Sequence, residues 1–242
     1  MKKEKTMKPV SLIIGAGAGI GGNVGRRFAQ ADYHAVLCRR TNKDGLDSLV
    51  ERIKKEGKSA SGYLLNVVEA NSIEDRIAAV EADIGPIEVV VFNLGAQVGD
   101  RSLKDTSYKV FELGWRMSTF ALFRVASVVC PLMEDRGKGT ILVTSATAAV
   151  RGNKGQHSHA AAMGGRRMLC QTLNAEFGPK GIHVAHILID GAVDAPDTLG
   201  KMLGPEGFQT LRETRGMEHD GLLLPEKIAE TYFHISQQHR SA

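Results

Sequence analysis

Apolar and polar positions along this chain alternate between two periods. Residues 10–14 form a short apolar run, the pattern of a buried strand. Residues 22–31 then place Val24, Phe28 and Ala31 at helical spacing and predict a helix. A second strand at 35–38 precedes a helix that carries Leu46, Leu49, Val50 and Ile53 and ends at Gly57, and residues 60–65 supply a third strand. A helix over 73–84 is closed by Gly85-Pro86, a strand follows over 87–92, and helices from about Ser107 and Trp115 run toward Pro131. A strand at 140–144, a helix at 160–177 and a strand at 183–189 continue the alternation. The last helix, 225–234, is followed by no clear apolar run, which leaves either a sheet without a last strand or a sequence that stops early.

Strands that alternate with helices and are apolar on both sides predict an α/β fold with a doubly wound parallel sheet and helices on both faces. One domain is expected over 9–242, after a basic tail at 1–8. The segment 190–224 is rich in Gly, Pro and charge and follows the carboxyl end of a strand, where such sheets bind ligands. It reads as a substrate lid, and Met202, Leu203, Phe208, Met217 and Leu222 within it point to a partly apolar small-molecule substrate.

Composition changes this picture little. With 242 residues, 43% hydrophobic and 24% charged, the chain can build a large core. A net charge of +4 raises the question of a nucleic-acid partner, but the first eight residues hold four Lys against one Glu, and no nucleic-acid motif follows. The longest apolar runs, such as Val89-Val90-Val91-Phe92 and Ile187-Leu188-Ile189, fall far short of the roughly 20 residues that cross a bilayer. With no signal-peptide core either, no membrane association is expected and the cytoplasm is the predicted compartment. Cys38, Cys130 and Cys170 are scattered and read as reduced structural thiols. No metal site is predicted: His157 points away from His159 on a helix, and His183 and His186 face opposite sides of a strand. Trp115, Met117, Phe120 and Phe123 fall at helical spacing and are expected in the core. Gly164-Gly165 is expected to allow close helix packing, and Arg166 and Arg167 to be solvated or to pair with a partner subunit.

The chemistry begins at Gly15-Ala16-Gly17-Ala18-Gly19-Ile20-Gly21, between the first strand and the first helix. A glycine at a strand end permits a tight turn, another lets backbone amides approach a pyrophosphate, and the helix offers its positive end. Gly15, Gly19 and Gly21 fill those roles, with Ile20 between the last two. The second strand ends in Arg39-Arg40, where an acidic group for ribose hydroxyls is usual in NAD enzymes. Guanidinium groups suit a 2′-phosphate instead, so NADP(H) is favoured over NAD(H).

These residues, with Asn93-Leu94-Gly95-Ala96, Ala175-Glu176-Phe177-Gly178-Pro179, Gly181-Ile182-His183-Val184 and Asp190-Gly191, make the chain similar to the short-chain dehydrogenase/reductase family over nearly its whole length. The resemblance implies a single Rossmann-like domain that binds NAD(P)(H), often as a homodimer or homotetramer built from the fourth and fifth helices. It assigns Asn66 and Val67 to the adenine pocket, Asn93 and Gly95 to cofactor and sheet support, and Val193 to the nicotinamide end.

The family's catalytic Asn, Ser, Tyr and Lys positions fall on Ser118, Ala146, His159 and Met163, so all four are replaced. A phenol needs a nearby ammonium to lower its pKa from about 10, and a hydroxyl to hold the substrate oxygen. Neither phenol nor ammonium is present at those positions. An imidazole, with an ordinary pKa near 6.5, is a competent acid without a lysine, although its nitrogen reaches roughly 2 Å less far than a phenol oxygen. The candidate catalytic residues are therefore His159, Ser118 and Ser145. Three function classes follow: an NADP(H)-dependent oxidoreductase of non-standard mechanism acting on a small carbonyl or alcohol; an inactive NADP(H)-binding pseudoenzyme with a sensor or regulatory role; and an interaction protein that kept only the fold. The first is the leading expectation.

Overall fold

Val10–Ile14, buried at all five positions, forms β1 near the middle of the sheet. The computed structural model describes residues 7–95, 101–215 and 221–239, so most of the basic tail, Ala96 and Met217 lie outside the described residues. After β1 come α1 (Ile20–Gln30), β2 (His34–Arg39), α2 (Lys43–Lys55), β3 (Ala60–Leu64), α3 (Ser72–Asp83) and β4 (Ile87–Phe92). The second half holds α4 (Tyr108–Trp115), α5 (Ala121–Asp135), β5 (Gly139–Ala146), α6 (His157–Phe177), β6 (Ile182–Ile189), α7 (Lys201–Arg215) and α8 (Pro225–Ser236).

Every strand pairing is parallel, in the order β3-β2-β1-β4-β5-β6. Strand parity sorts the core. Val10, Leu12, Ile14, Phe92 and Val143 face α3, α5 and α6, whereas Ile13, Leu37, Val91 and Leu142 face α1, α2 and α8. The chain is thus doubly wound, and the order reverses between β1 and β4, which opens a crevice at their carboxyl ends. Among the described residues the sheet has six strands, with β6 at its edge.

Four features differ from the sequence reading. First, α5 continues through Pro131 instead of ending there. Pro131 and Ser127, whose carbonyl loses its helical partner, both lie on the exposed side, where water replaces the missing bond. Second, α4, a π turn at Arg116–Phe120 and α5 make one helical run, Tyr108–Asp135, that by length and composition is apolar enough to cross a bilayer. Counting uninterrupted apolar residues missed it. In this fold it is a core helix: Leu122, Val125, Ala126, Val129 and Met133 are buried against the sheet.

Third, that same buried stripe leaves Trp115, Phe120 and Phe123 on the opposite side, so they are not core residues but are 43%, 36% and 52% exposed. Trp115 and Phe120 stack with ring centroids 5.2 Å apart. Fourth, the segment read as an irregular lid contains a π turn at Pro196–Gly200 and α7, broken at Gly204, which adopts φ 73°. Its ends meet at a bridge between Val193 and Leu223. Phe208 is buried, while Met202 and Leu203 are exposed.

Arg124 on α5 fixes the loop after β3. Its guanidinium donates to Glu74 Oε1 at 2.9 Å and Oε2 at 2.6 Å, and to the Val67 carbonyl at 2.6 Å. The hydrogen bond from Arg124 holds the Glu74 carboxyl below its ordinary value, against the smaller opposing effect of burial. The stabilisation is therefore present above the ordinary carboxylate pKa of about 4.3 and is lost as pH falls through the lowered one. Glu74→Gln is expected to melt at a lower temperature than the parent at pH 7, with the gap closing below about pH 4. Thermal melts at the two pH values check this; a gap of equal size at both would contradict it.

Candidate nucleotide cleft

The site starts from close backbone approach at the end of β1. Gly15 has φ 100°, and a Cβ there would lie 2.5 Å from the Asn93 carbonyl oxygen. A Cβ on Gly21 would lie 2.3 Å from the Gly15 carbonyl oxygen. Only glycine fits either position without moving backbone. The turn delivers α1 with Gly19 as its N-cap, no side-chain cap and no acidic residue in the first turn. The positive end of the helix thus faces the crevice with no acidic side chain of its own against it.

Asn93 locks this corner. Its Nδ2 donates to the Gly15 carbonyl at 2.9 Å, and its Oδ1 accepts from Thr144 Oγ1 at 2.8 Å. Thr144 Oγ1 lies 2.7 Å from the Tyr232 hydroxyl. Burial pushes the Tyr232 phenol up to about 12, so it stays neutral and donates to Thr144. One chain of hydrogen bonds therefore joins β1, β4, β5 and α8 under the cleft.

The cleft has two lobes that share Gly15, Asn93 and Gly95. The outer lobe, about 360 Å³, is lined by Arg39 and Arg40 from the end of β2 and by Asn66 and Val67 after β3. The inner lobe, about 260 Å³, takes in Gly19, Ile20, Gly21 and Val193. All eleven residues expected to hold a dinucleotide therefore line one continuous cleft, the glycine turn between its lobes.

The inner lobe also gathers the positions at which catalytic groups are expected. Ser145 and Ala146 end β5, and His159 and Met163 lie on the first turns of α6. His159 is 8% exposed, and Ser145 Oγ lies 3.7 Å from Met163 Sδ. Ser118 does not join them. It is fully buried in the π turn with its hydroxyl 3.4 Å from the Ala162 carbonyl, while the neighbouring Thr119 hydroxyl donates to that carbonyl at 2.8 Å. The extra residue of the π turn aims Ser118 at the α6 backbone instead of the cleft. Gly165 makes room for this contact, since a Cβ there would lie 2.9 Å from Thr119 Oγ1; Gly164 has nothing within 4 Å. No group of three His, Cys, Asp or Glu side chains suited to a metal occurs among the described residues.

Arg166 is the residue that sequence reasoning misplaced. Expected in solvent or at a partner subunit, it is 1% exposed and lines the inner lobe. Its guanidinium donates to the Thr144 carbonyl at 2.6 Å and the Leu94 carbonyl at 2.9 Å. The signal was its spacing: Ala162, Met163, Arg166, Cys170 and Leu173 form the buried stripe of α6, at helical intervals.

Comparison with known proteins agrees with this architecture. A model of the short chain dehydrogenase family matches residues 9–198. The short-chain reductase protein NovJ of Streptomyces niveus is 28% identical over 235 residues, which cover 96% of this chain and 88% of NovJ. Among solved structures, a short-chain dehydrogenase from Rhodopseudomonas palustris is 29% identical with a TM-score of 0.79, covering 97% of this chain and 94% of that one. The fold is also that of an actinorhodin polyketide ketoreductase variant solved with NADPH, at a TM-score of 0.83 and 22% identity, over 95% of this chain and 90% of the other.

Proposed function

The chain belongs to the short-chain dehydrogenase family of oxidoreductases, and from that premise we propose that it is an NADP(H)-dependent oxidoreductase of a small carbonyl or alcohol substrate, working without the family's tyrosine and lysine. The observation that carries this reading is the continuous cleft, in which the turn that only glycine fits, the α1 terminus and the paired Arg39 and Arg40 lie in the sequence a dinucleotide requires. NADP(H), when bound, supplies or accepts the hydride. The turn at Gly15, Gly19, Ile20 and Gly21 would hold the pyrophosphate, Arg39 and Arg40 the 2′-phosphate, and Asn66 and Val67 the adenine. Asn93 and Gly95 would support the cofactor and the sheet beneath it, and Val193 the nicotinamide end. The group left to manage the proton is His159, because an imidazole both donates and accepts near neutral pH. Ser145 offers a hydroxyl to the substrate oxygen, Ala146 and Met163 keep that end of the cleft apolar, and Ser118, turned to the α6 backbone, takes no part in the chemistry.

A second reading, an NADP(H)-binding protein without turnover, is favoured by the Ser145–Met163 contact, which turns the Ser145 hydroxyl toward a sulfur. NADPH oxidation against a panel of aldehydes and ketones separates the two. Slow turnover is expected, reduced at least about tenfold in His159→Phe while NADPH affinity is kept. Binding without turnover on any carbonyl would select the second reading. In either case we place a homodimer or homotetramer on the α4–α5 face, where stacked aromatics are exposed.

A further inference from the structure

We propose that Arg166 is the fixed cation of this cleft, in place of the ammonium that the family resemblance puts at position 163, and that its charge makes the site hold reduced nicotinamide in preference to oxidised. The inference rests on the NADP(H) reading above and adds to it the redox form of the cofactor that the site holds.

Three observations carry it. The first is place. Met163 and Arg166 are one helical turn apart on the same buried stripe of α6, and both line the inner lobe. The charge that the substitution at position 163 removes is present one turn further along the same wall.

The second is isolation. The guanidinium is held by two backbone carbonyls, at 2.6 and 2.9 Å, and lies 4.9 Å from the centre of the Phe92 ring, while its Nε is buried without a partner. No carboxylate among the described residues is paired with it. The two titratable groups that act on it, Cys170 and Tyr232, are both pushed up to about 12 by burial and are neutral at pH 7. Burial lowers Arg166 itself to about 10, which still leaves it charged. Its field is felt nearby: the His186 imidazole is held low by burial first and then by Arg166 and Arg167.

The third is cost. A buried cation without a counter-charge is among the most expensive groups a fold can carry, and a leucine would fill the same stripe. The carbonyl clamp between β4 and β5 explains how the charge is tolerated. It does not explain why a charge is there.

Oxidised and reduced NADP differ in the ring: the oxidised ring carries a positive charge and the reduced ring does not. The phosphates, riboses and adenine are common to both, so a fixed cation beside the ring end acts on the difference alone. Two unit charges about 12 Å apart at an effective dielectric of about 20 change an equilibrium by on the order of tenfold.

The experiment is equilibrium binding by the full chain, with NADPH and NADP⁺ titrated separately, for the parent, Arg166→Lys and Arg166→Met. The parent is expected to bind NADPH on the order of tenfold tighter than NADP⁺. Arg166→Lys is expected to keep that preference, and Arg166→Met to bring the two affinities within about twofold of each other. A clamp of structural importance only would weaken both forms equally and leave their ratio untouched. Should Arg166→Met fail to fold, Arg166→Gln replaces it. Equal or tighter binding of NADP⁺ by the parent overturns the proposal while the cofactor reading stands, as does a ratio that survives removal of the charge. Failure of the parent to bind either form is a distinct result that overturns the cofactor reading and this inference together.

Discussion

A chain carrying Ala146→Ser, His159→Tyr and Met163→Lys together is expected to reduce a carbonyl substrate about 10²–10⁴-fold faster than the parent. The three positions lie at the end of β5 and the start of α6, and all line the inner lobe, so the substitutions place a hydroxyl, a phenol and an ammonium in one wall of the cleft. A phenol with an ordinary pKa near 10 is a poor acid–base group at neutral pH until a cation lowers it, and the hydroxyl is needed to hold the oxygen on which charge develops. Because the three act as a unit, each single change is expected to achieve little. Arg166 tempers the gain. An ammonium at position 163, which is 2% exposed, sits one turn from a guanidinium that has no carboxylate beside it, and like charges oppose each other. The lower half of the range is therefore expected. Steady-state NADPH oxidation with a ketone panel checks it; a triple variant that binds NADPH and turns over no faster than the parent would mean that the inner lobe does not seat a carbonyl.

Removing charge at the other end of the cleft is expected to separate the two nicotinamide cofactors. In the double variant Arg39→Ser, Arg40→Ser, the dissociation constant for NADPH should rise about 10–100-fold, the worth of one or two charge-assisted hydrogen bonds to a phosphate. Binding of NADH, which has no 2′-phosphate, should change by less than about twofold. The geometry behind this is local: Arg39 ends β2 and Arg40 follows it, with Asn66 and Val67 across the same lobe. Arg40 is exposed and Arg39 half-buried at the end of the strand, so NADH binding serves as the control for any loss of local packing. Equal losses for both cofactors, or none, would make the two guanidinium groups ordinary solvated side chains.

Why these residues and not others were readable in the sequence has a physical answer. Parallel strands covered on both faces are apolar at nearly every position, so β1 and β4 stood out as apolar runs, broken only by Ser11 and Glu88. The glycine turn was readable because steric demand at Gly15 and Gly21 admits a single residue type. Arg166 was not, because a charged residue in a helix is read as solvated by default, and only its phase with Ala162, Met163 and Cys170 contradicts that. Trp115, Phe120 and Phe123 failed in the opposite sense. Their spacing is helical, but a neighbouring apolar stripe on α5 had already taken the core. Ser118 shows a third kind of limit: spacing located the position, yet the π turn that aims its hydroxyl at Ala162 leaves no mark in composition. In the lid, Gly204 and Pro205 disguised α7 by breaking its period near its start.

Binding of an NADP-type dinucleotide in this cleft is measured by a fluorescence titration of the purified chain with NADPH and, separately, NADH. Saturable enhancement of nicotinamide fluorescence is expected with both, with NADPH at least about tenfold tighter. Binding of neither cofactor, or preference for NADH, would contradict it.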